Sequence, residues 1–168
     1  MRLIPDYLLG IVAEHGGEGL RNLDLAGADL DRGKTVVTSR SLDELLPGTR
    51  AKVEAWLAAC AKEVPTIVFL TCTFRDQAAQ AALWSTGRTH PGPKVAWTLK
   101  SKHTERRAVD FALKLPDPWD MKVDVDHDEI PDFLEVGQLA ETVGLTWGGR
   151  FSPNPDFPHV QDDEIYPL

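Results

Sequence analysis

Apolar residues first take a helical period in SLDELLPGTRAKVEAWLAACAKE, residues 41–63. There Val53, Trp56, Leu57 and Cys60 fall at i, i+3, i+4 and i+7 and share one face of an amphipathic helix. Pro65 ends that pattern. The run TIVFLTCTF, residues 66–74, is β-branched and aromatic and reads as a short buried strand. RDQAAQAALWSTG, residues 75–87, returns to a helix with Gly87 as its C-terminal cap. GRTHPGPK is too rich in Gly and Pro for regular structure, whereas AVDFAL, residues 108–113, alternates as a strand. Its Ala108, Asp110 and Ala112 share one face, and Val109, Phe111 and Leu113 the other. Residues 132–143 predict a third helix closed by Gly144, and the turn-rich tail TWGGRFSPNPDFPHVQ has extended pieces near Thr146 and Val160. Upstream, residues 4–14 suit a short helix ended by Gly16, Gly17 and Gly19. LRNLDLAGADL, residues 20–30, carries two imperfect pentapeptide-like units, too few to stack as a solenoid, and reads as a loop or small hairpin. Helices between short, non-adjacent strands predict an α+β fold, a single compact domain with a small antiparallel sheet flanked by helices.

Composition narrows the function classes. A chain of 168 residues with 42% apolar and 26% charged residues has the size and core of one domain, not of a disordered segment. Its net charge of −8 argues against bulk nucleic-acid binding, which needs a positive surface. The two cysteines, Cys60 and Cys72, form no CxxC pair and read as buried free thiols rather than a disulfide framework. No run approaches the ~20 apolar residues of a membrane span, and Pro5, Asp6 and Glu14 interrupt the amino-terminal apolar stretch. These features predict a monomer made soluble in the cytoplasm without a signal peptide.

Candidate chemistry gathers in SKHTERRAVDF and DFPHVQ. His103, Asp110 and His159 together match the two imidazoles and one carboxylate of a catalytic zinc site with a free fourth position. Seven extended residues would span roughly 23 Å, so shared ligation by His103 and Asp110 demands a turn between them, and TERR is the polar stretch available. Taken singly, the three read as a surface histidine, a strand-end carboxylate and a loop residue. His15, His90 and His127 have no partner at ligand spacing, and Trp56, Trp84, Trp97 and Trp119 read as core or groove wall.

In order along residues 39–161, SRSLDELLP, TFRDQ, GRTHPG, SKHTERRAVDF, WGGRF and DFPHVQ resemble the zinc peptidases that include VanY-type D-Ala-D-Ala carboxypeptidases and phage L-alanyl-D-glutamate endopeptidases. The endopeptidase branch is the nearer, being similarly short and sharing WGG and an Asp three residues before the last His. The resemblance implies a Hedgehog/D-Ala-D-Ala-peptidase-like fold with the zinc at the sheet. It implies His103, Asp110 and His159 as zinc ligands, Asp156 as general base and Arg75 as the cation that stabilises the charged tetrahedral intermediate. A carboxylate three residues from a ligand can also reach a nucleophilic water without binding the metal. Arg106 stands where the family usually has Gly, a residue that marks positive φ or close backbone approach. Trp147, Gly148 and Gly149 are expected either to floor the site or to serve as turn and core. The resemblance divides the chain into an N-terminal extension of unknown role, 1–38, and a peptidase domain, 39–168.

Two charge patterns stand outside the resemblance. Between residues 88 and 107, Arg88, Lys94, Lys100, Lys102, Arg106 and Arg107 face the single acid Glu105, a steering patch for the carboxylates of a peptidoglycan stem peptide or a solvated basic loop. In DVDHDEIPDFLE, Asp124, Asp126, Asp128, Ile130, Asp132 and Glu135 fall at positions 1, 3, 5, 7, 9 and 12 of an EF-hand calcium loop, with Glu129 where the turn wants Gly. The alternative is an acidic helix N-terminus favoured by the helix dipole.

The expected activity is zinc-dependent cleavage of the peptidoglycan stem between L-alanine and D-glutamate by a phage-type endolysin that reaches the wall after release from the host cytoplasm. A D-Ala-D-Ala carboxypeptidase is the alternative within the same chemistry. A non-catalytic metal-binding module that docks on the wall or a partner is the alternative of another class.

Overall fold

The computed structural model describes residues 37–165, so the short helix, the 20–30 segment and nearly all of the expected N-terminal extension lie outside the described residues. Within them the order is β1 (Thr38–Ser39), α1 (Pro47–Glu63), β2 (Val68–Cys72), β3 (Phe74–Arg75), α2 (Gln77–Ser85), β4 (Ala108–Leu113), α3 (Asp132–Thr142), β5 (Thr146–Trp147) and β6 (His159–Gln161). Four strands form an antiparallel sheet in the order β2-β4-β6-β5, and β1 pairs with β3 in a separate ribbon. The α+β expectation holds.

Three boundaries differ from the sequence reading, each for a local reason. The first helix begins at Pro47 rather than Ser41: proline's fixed φ suits a first helical position, and Ser41 instead caps a single 3-10 turn, Leu42–Glu44. The apolar run 66–74 is shorter and divided: a bulge between Leu70 and Cys72 shifts its register on β4, the pairing ends at Cys72, and Phe74 leaves to pair with β1. The second helix starts two residues later, after Asp76, whose side chain accepts the amide of Ala79 as an N-cap. Arg75 is therefore a strand residue, not a helix-start residue.

The sheet has two unlike faces. Val109, Phe111 and Leu113 of β4 and Val160 of β6 join Val53, Trp56 and Cys60 of α1 and Phe133, Val136 and Ala140 of α3 in one apolar core. Phe111 sits at its centre, edge-on to Trp56 at 5.3 Å and stacked on Phe133 at 4.9 Å. Trp56 is fully buried, and its indole N–H donates to the Val136 carbonyl at 2.8 Å, so α1 and α3 are joined by a polar contact as well as by packing. Strand periodicity sends the alternate residues to the opposite face, and that face carries the chemistry.

Candidate metal centre

Cross-strand register aligns Cys72 with Asp110 and Asp110 with His159, a row across β2, β4 and β6 on the face away from the core. His103 reaches the row from the preceding loop. Residues 102–106 form the turn that the spacing required, held by Thr104 Oγ1 donating to the Ser101 carbonyl at 2.7 Å and by the Arg106 amide donating to the His103 carbonyl at 3.2 Å. His103 Nε2 and His159 Nδ1 each lie 3.0 Å from the same atom, Asp110 Oδ1.

With metal–ligand bonds of about 2.0–2.1 Å, tetrahedral ligand atoms lie about 3.3 Å apart, close to both nitrogen-to-Asp110 spacings. The donor atoms of Cys72, His103 and Asp110 all come within 4.8 Å of one another, a set that suits a metal ion. His159 supplies the sharper test. Its Nε2 faces Gln161 Oε1 at 3.1 Å and its Nδ1 faces Asp110 Oδ1, so acceptors stand at both ring nitrogens. A neutral imidazole has one N–H and can satisfy only one of them. That pairing suits an imidazolium, or a neutral ring with a cation held between Nδ1 and the carboxylate. Gln161, which the sequence reading passed over, lies two positions on along the same strand face and contacts the ring nitrogen turned away from Asp110.

The titration behaviour follows from the same crowding. Burial lowers the pKa of His103 to about 4, keeping the ring neutral as a ligand requires. Burial alone would lower His159 too, but the hydrogen bond and charge of Asp110 outweigh it and hold that ring above its ordinary value. Burial works against ionised Asp110, yet the two imidazoles and Arg75 hold it well below the usual carboxylate range.

A cleft of about 410 Å³ opens beside the row, lined among others by Arg75, Trp97, Lys102, Asp156, His159 and Gln161. Arg75 Nη1 lies 3.8 Å from Asp110 Oδ2, and its Nε is buried without a partner. Asp156 sits on the loop before β6, its amide donating to the Gly148 carbonyl at 2.8 Å. Loss of solvent around its carboxyl, then the charge of Asp110, raises its pKa, which suits a proton acceptor. The structure therefore brings His103, Asp110, His159, Arg75 and Asp156 to one place.

Arg106 adopts φ +60, the left-handed conformation that the family's usual glycine would take without strain. Its guanidinium is held by the Glu44 carboxylate, donates to the Glu44 carbonyl at 3.0 Å and covers the Phe74 ring at 4.3 Å. The glycines of WGG serve packing rather than substrate approach. A Cβ on Gly148 would meet the Asp156 carbonyl at 2.3 Å, and one on Gly149 would strike the Trp147 ring. Trp147 belongs to the core.

The basic stretch is largely consumed by the fold. Arg88 lies over Trp84 and donates to two carbonyls, Arg106 pairs with Glu44, and Arg107 bonds the Glu164 carbonyl, leaving Lys100 and Lys102 as its members in the cleft lining. The acidic loop is more ordered than its exposure suggests. Asp124, Asp126 and Asp132 bring carboxylate oxygens within 4.8 Å of one another, as do Asp126, Asp128 and Glu135. Glu129 has φ +78, so it takes the conformation usually given to glycine at that position of a calcium loop. Asp124 accepts the amides of His127, Asp128 and Glu129, while Asp132 is already bonded to Thr66 Oγ1 and the Val125 amide. Loss of solvent and the surrounding acids raise Glu135 to about 7, and its Oε2 is buried without a partner.

Comparison with known proteins gives the family. The sequence profile of the D-alanyl-D-alanine carboxypeptidase family of M15 peptidases matches residues 94–162, which contain His103, Asp110, Asp156 and His159. The chain is 34% identical over 123 residues to the peptidoglycan L-alanyl-D-glutamate endopeptidase CwlK of Bacillus subtilis (strain 168), covering 70% of this chain and 73% of the relative. The chain belongs to the M15 peptidase family. The fold is also that of the Serratia marcescens L-Ala D-Glu endopeptidase ChiX, with a TM-score of 0.51 at 19% identity over 74% of this chain and 87% of the other.

Proposed function

We propose that this M15 peptidase is a zinc enzyme that hydrolyses the L-alanyl-D-glutamate bond of peptidoglycan stem peptides. The observation that carries the reading is the pair of imidazoles converging on one carboxylate oxygen beside a cleft that also holds Asp156 and Arg75. His103, Asp110 and His159 would hold the zinc, at the sheet. When bound there, zinc supplies a Lewis acid and lowers the pKa of water to near neutrality. Asp156 accepts the proton of the attacking water at its carboxylate and returns one to the leaving amine. Arg75, kept in place by Asp110, stabilises negative charge developing on the scissile carbonyl oxygen. Gln161 would hold the His159 ring at Nε2, leaving Nδ1 on the Asp110 side as the nitrogen available to a metal. The choice of bond is supported by the likeness to CwlK, whose name states that specificity.

The phage-endolysin role rests on the order of motifs and on the short WGG-bearing pattern, and no described helix is long and apolar enough to cross a membrane. The acidic loop extends the proposal to calcium, supported by two overlapping carboxylate triads and the strained turn at Glu129. Because α3 begins within this loop and packs through Gly137 against Trp147, an ordered loop would steady the segment preceding WGG.

Purified peptidoglycan digested by zinc-loaded and metal-stripped protein tests the reading, with fragments resolved by mass spectrometry. Zinc-dependent peptides bearing a new amino-terminal glutamate are expected. Loss of terminal alanine alone would instead establish the carboxypeptidase named in the matching family profile. No metal-dependent product, from a substrate that a control lytic enzyme digests, would leave a non-catalytic metal-binding module. Equal activity in calcium and in a chelator that spares zinc would end the calcium extension.

A further inference from the structure

The cross-strand row has a third member that the proposed zinc set does not use. Cys72, Asp110 and His103 each offer a donor atom, and the three atoms all lie within 4.8 Å of one another. The placement is built into the sheet. Leu70 pairs with Phe111, so an unbroken ladder would set Thr71 opposite Asp110 and turn Cys72 to the core face. The bulge between Leu70 and Cys72 adds one residue, pairs Cys72 with Asp110 instead, and brings the thiol to the face that carries the chemistry. Cys60, by contrast, is 1% exposed in the apolar core, whereas Cys72 is only half-buried. Among the described residues the Cys72 thiol donates one weak hydrogen bond, at 3.7 Å to the Phe74 carbonyl, which costs little to give up.

We propose that Cys72 is a further metal donor of this centre, so that a divalent ion seated at His103 and Asp110 can also bind the sulfur and the site favours thiol-seeking ions over hard ones. On binding, the S–H proton leaves to solvent and a sulfur–metal bond forms, with no change of oxidation state. The ion itself drives the proton off, as metals do with coordinating thiols. Sulfur ligands select soft metals, and carboxylate and water select hard ones. An ion that also takes the sulfur gives up the open position the attacking water needs, so the consequence is a shift in metal preference and a non-hydrolytic form of the centre rather than a new reaction. The inference rests on the reading of His103 and Asp110 as metal ligands.

Cobalt(II) added to metal-stripped protein reads both statements separately. Visible ligand-field absorption reports an ion in the site, and a near-ultraviolet sulfur-to-cobalt charge-transfer band reports the thiolate. Both are expected in the native chain and in Cys60→Ala. Cys72→Ser should keep the visible absorption, lose the ultraviolet band and weaken cadmium binding relative to zinc by on the order of tenfold. Visible absorption without the ultraviolet band in the native chain would overturn the role of Cys72 while leaving the His103–Asp110 site intact. Absence of both would overturn the metal site and this inference with it. A variant-free measurement accompanies these: zinc or cadmium should slow alkylation of Cys72 by iodoacetamide, read by peptide mass, and an unchanged rate in the loaded protein would count against sulfur binding.

Discussion

The chain treats carboxylates in opposite ways in two regions. At the cross-strand row, a single carboxylate, Asp110, is surrounded by His103, His159 and Arg75 on rigid strands and a tight turn, and its charge is held ionised by them. In the segment 124–135, from an exposed loop to the buried start of α3, four aspartates and Glu135 crowd together with no cation among their described ion pairs, and loss of solvent, then the neighbouring acids, raises Glu135 to about 7. The difference is one of preorganisation. The first region supplies its own positive groups and can orient a ligand set before anything binds. The second stores repulsion that an incoming ion would relieve, which makes it suited to sensing rather than chemistry.

The sharpest break of this comparison is removal of the carboxylate at the centre of the row. Asp110→Ala should abolish zinc uptake and peptidoglycan hydrolysis together, because it deletes the atom on which both imidazoles converge; zinc content by atomic absorption, beside the digestion assay, checks it. Retained zinc at one equivalent would show that the row does not hold the metal. Asp156→Asn and Arg75→Ala should leave zinc content unchanged. The first should lower turnover by about 10²–10⁴ and the second by about 10²–10³, measured at saturating substrate.

At the loop the expected effects are on stability and smaller. The ordinary Glu value is 4.5 and the folded value is about 7, so the folded chain binds more protons between those limits. This contribution is fully present below about pH 4.5 and is lost as pH rises through 7. The melting temperature should therefore fall across that window by more in the native chain than in Glu135→Gln. Calcium should restore part of the loss at pH 7.5, and an identical pH dependence in the two chains would place the repulsion elsewhere.

Much of this was readable before the fold. The alternation of AVDFAL identified a strand with Asp110 opposite the core residues, and the seven-residue gap from His103 demanded the turn that residues 102–106 make. Cys72 and Gln161 were not readable in the same way. Cys72 reaches the site only through a bulge, and period-two reasoning has no means of placing an added residue. Gln161 acts through a side-chain contact to His159, although its position two residues along a strand from a candidate ligand was the signal available. The basic stretch misled for another reason: a count of charges cannot show that Arg88, Arg106 and Arg107 are spent on carbonyls, an acid and aromatic rings.

The smallest effect distinguishes how the two regions hold a side chain in left-handed backbone. Glu129 and His127 in the loop are steadied through their backbone amides, which donate to Asp124. Arg106 is steadied by its own side chain, through Glu44 and Phe74, which sit beside the entry to α1; the Leu46 amide donates to the Arg106 carbonyl at 3.0 Å. Arg106→Ala keeps the strain and loses the anchor, whereas Arg106→Gly loses the anchor but removes a strain of about 1–2 kcal/mol. Gly should therefore be the more stable of the two variants by about 1 kcal/mol, as read by urea denaturation. Ala as stable as Gly would show that the left-handed backbone at position 106 carries no strain for a side chain to offset.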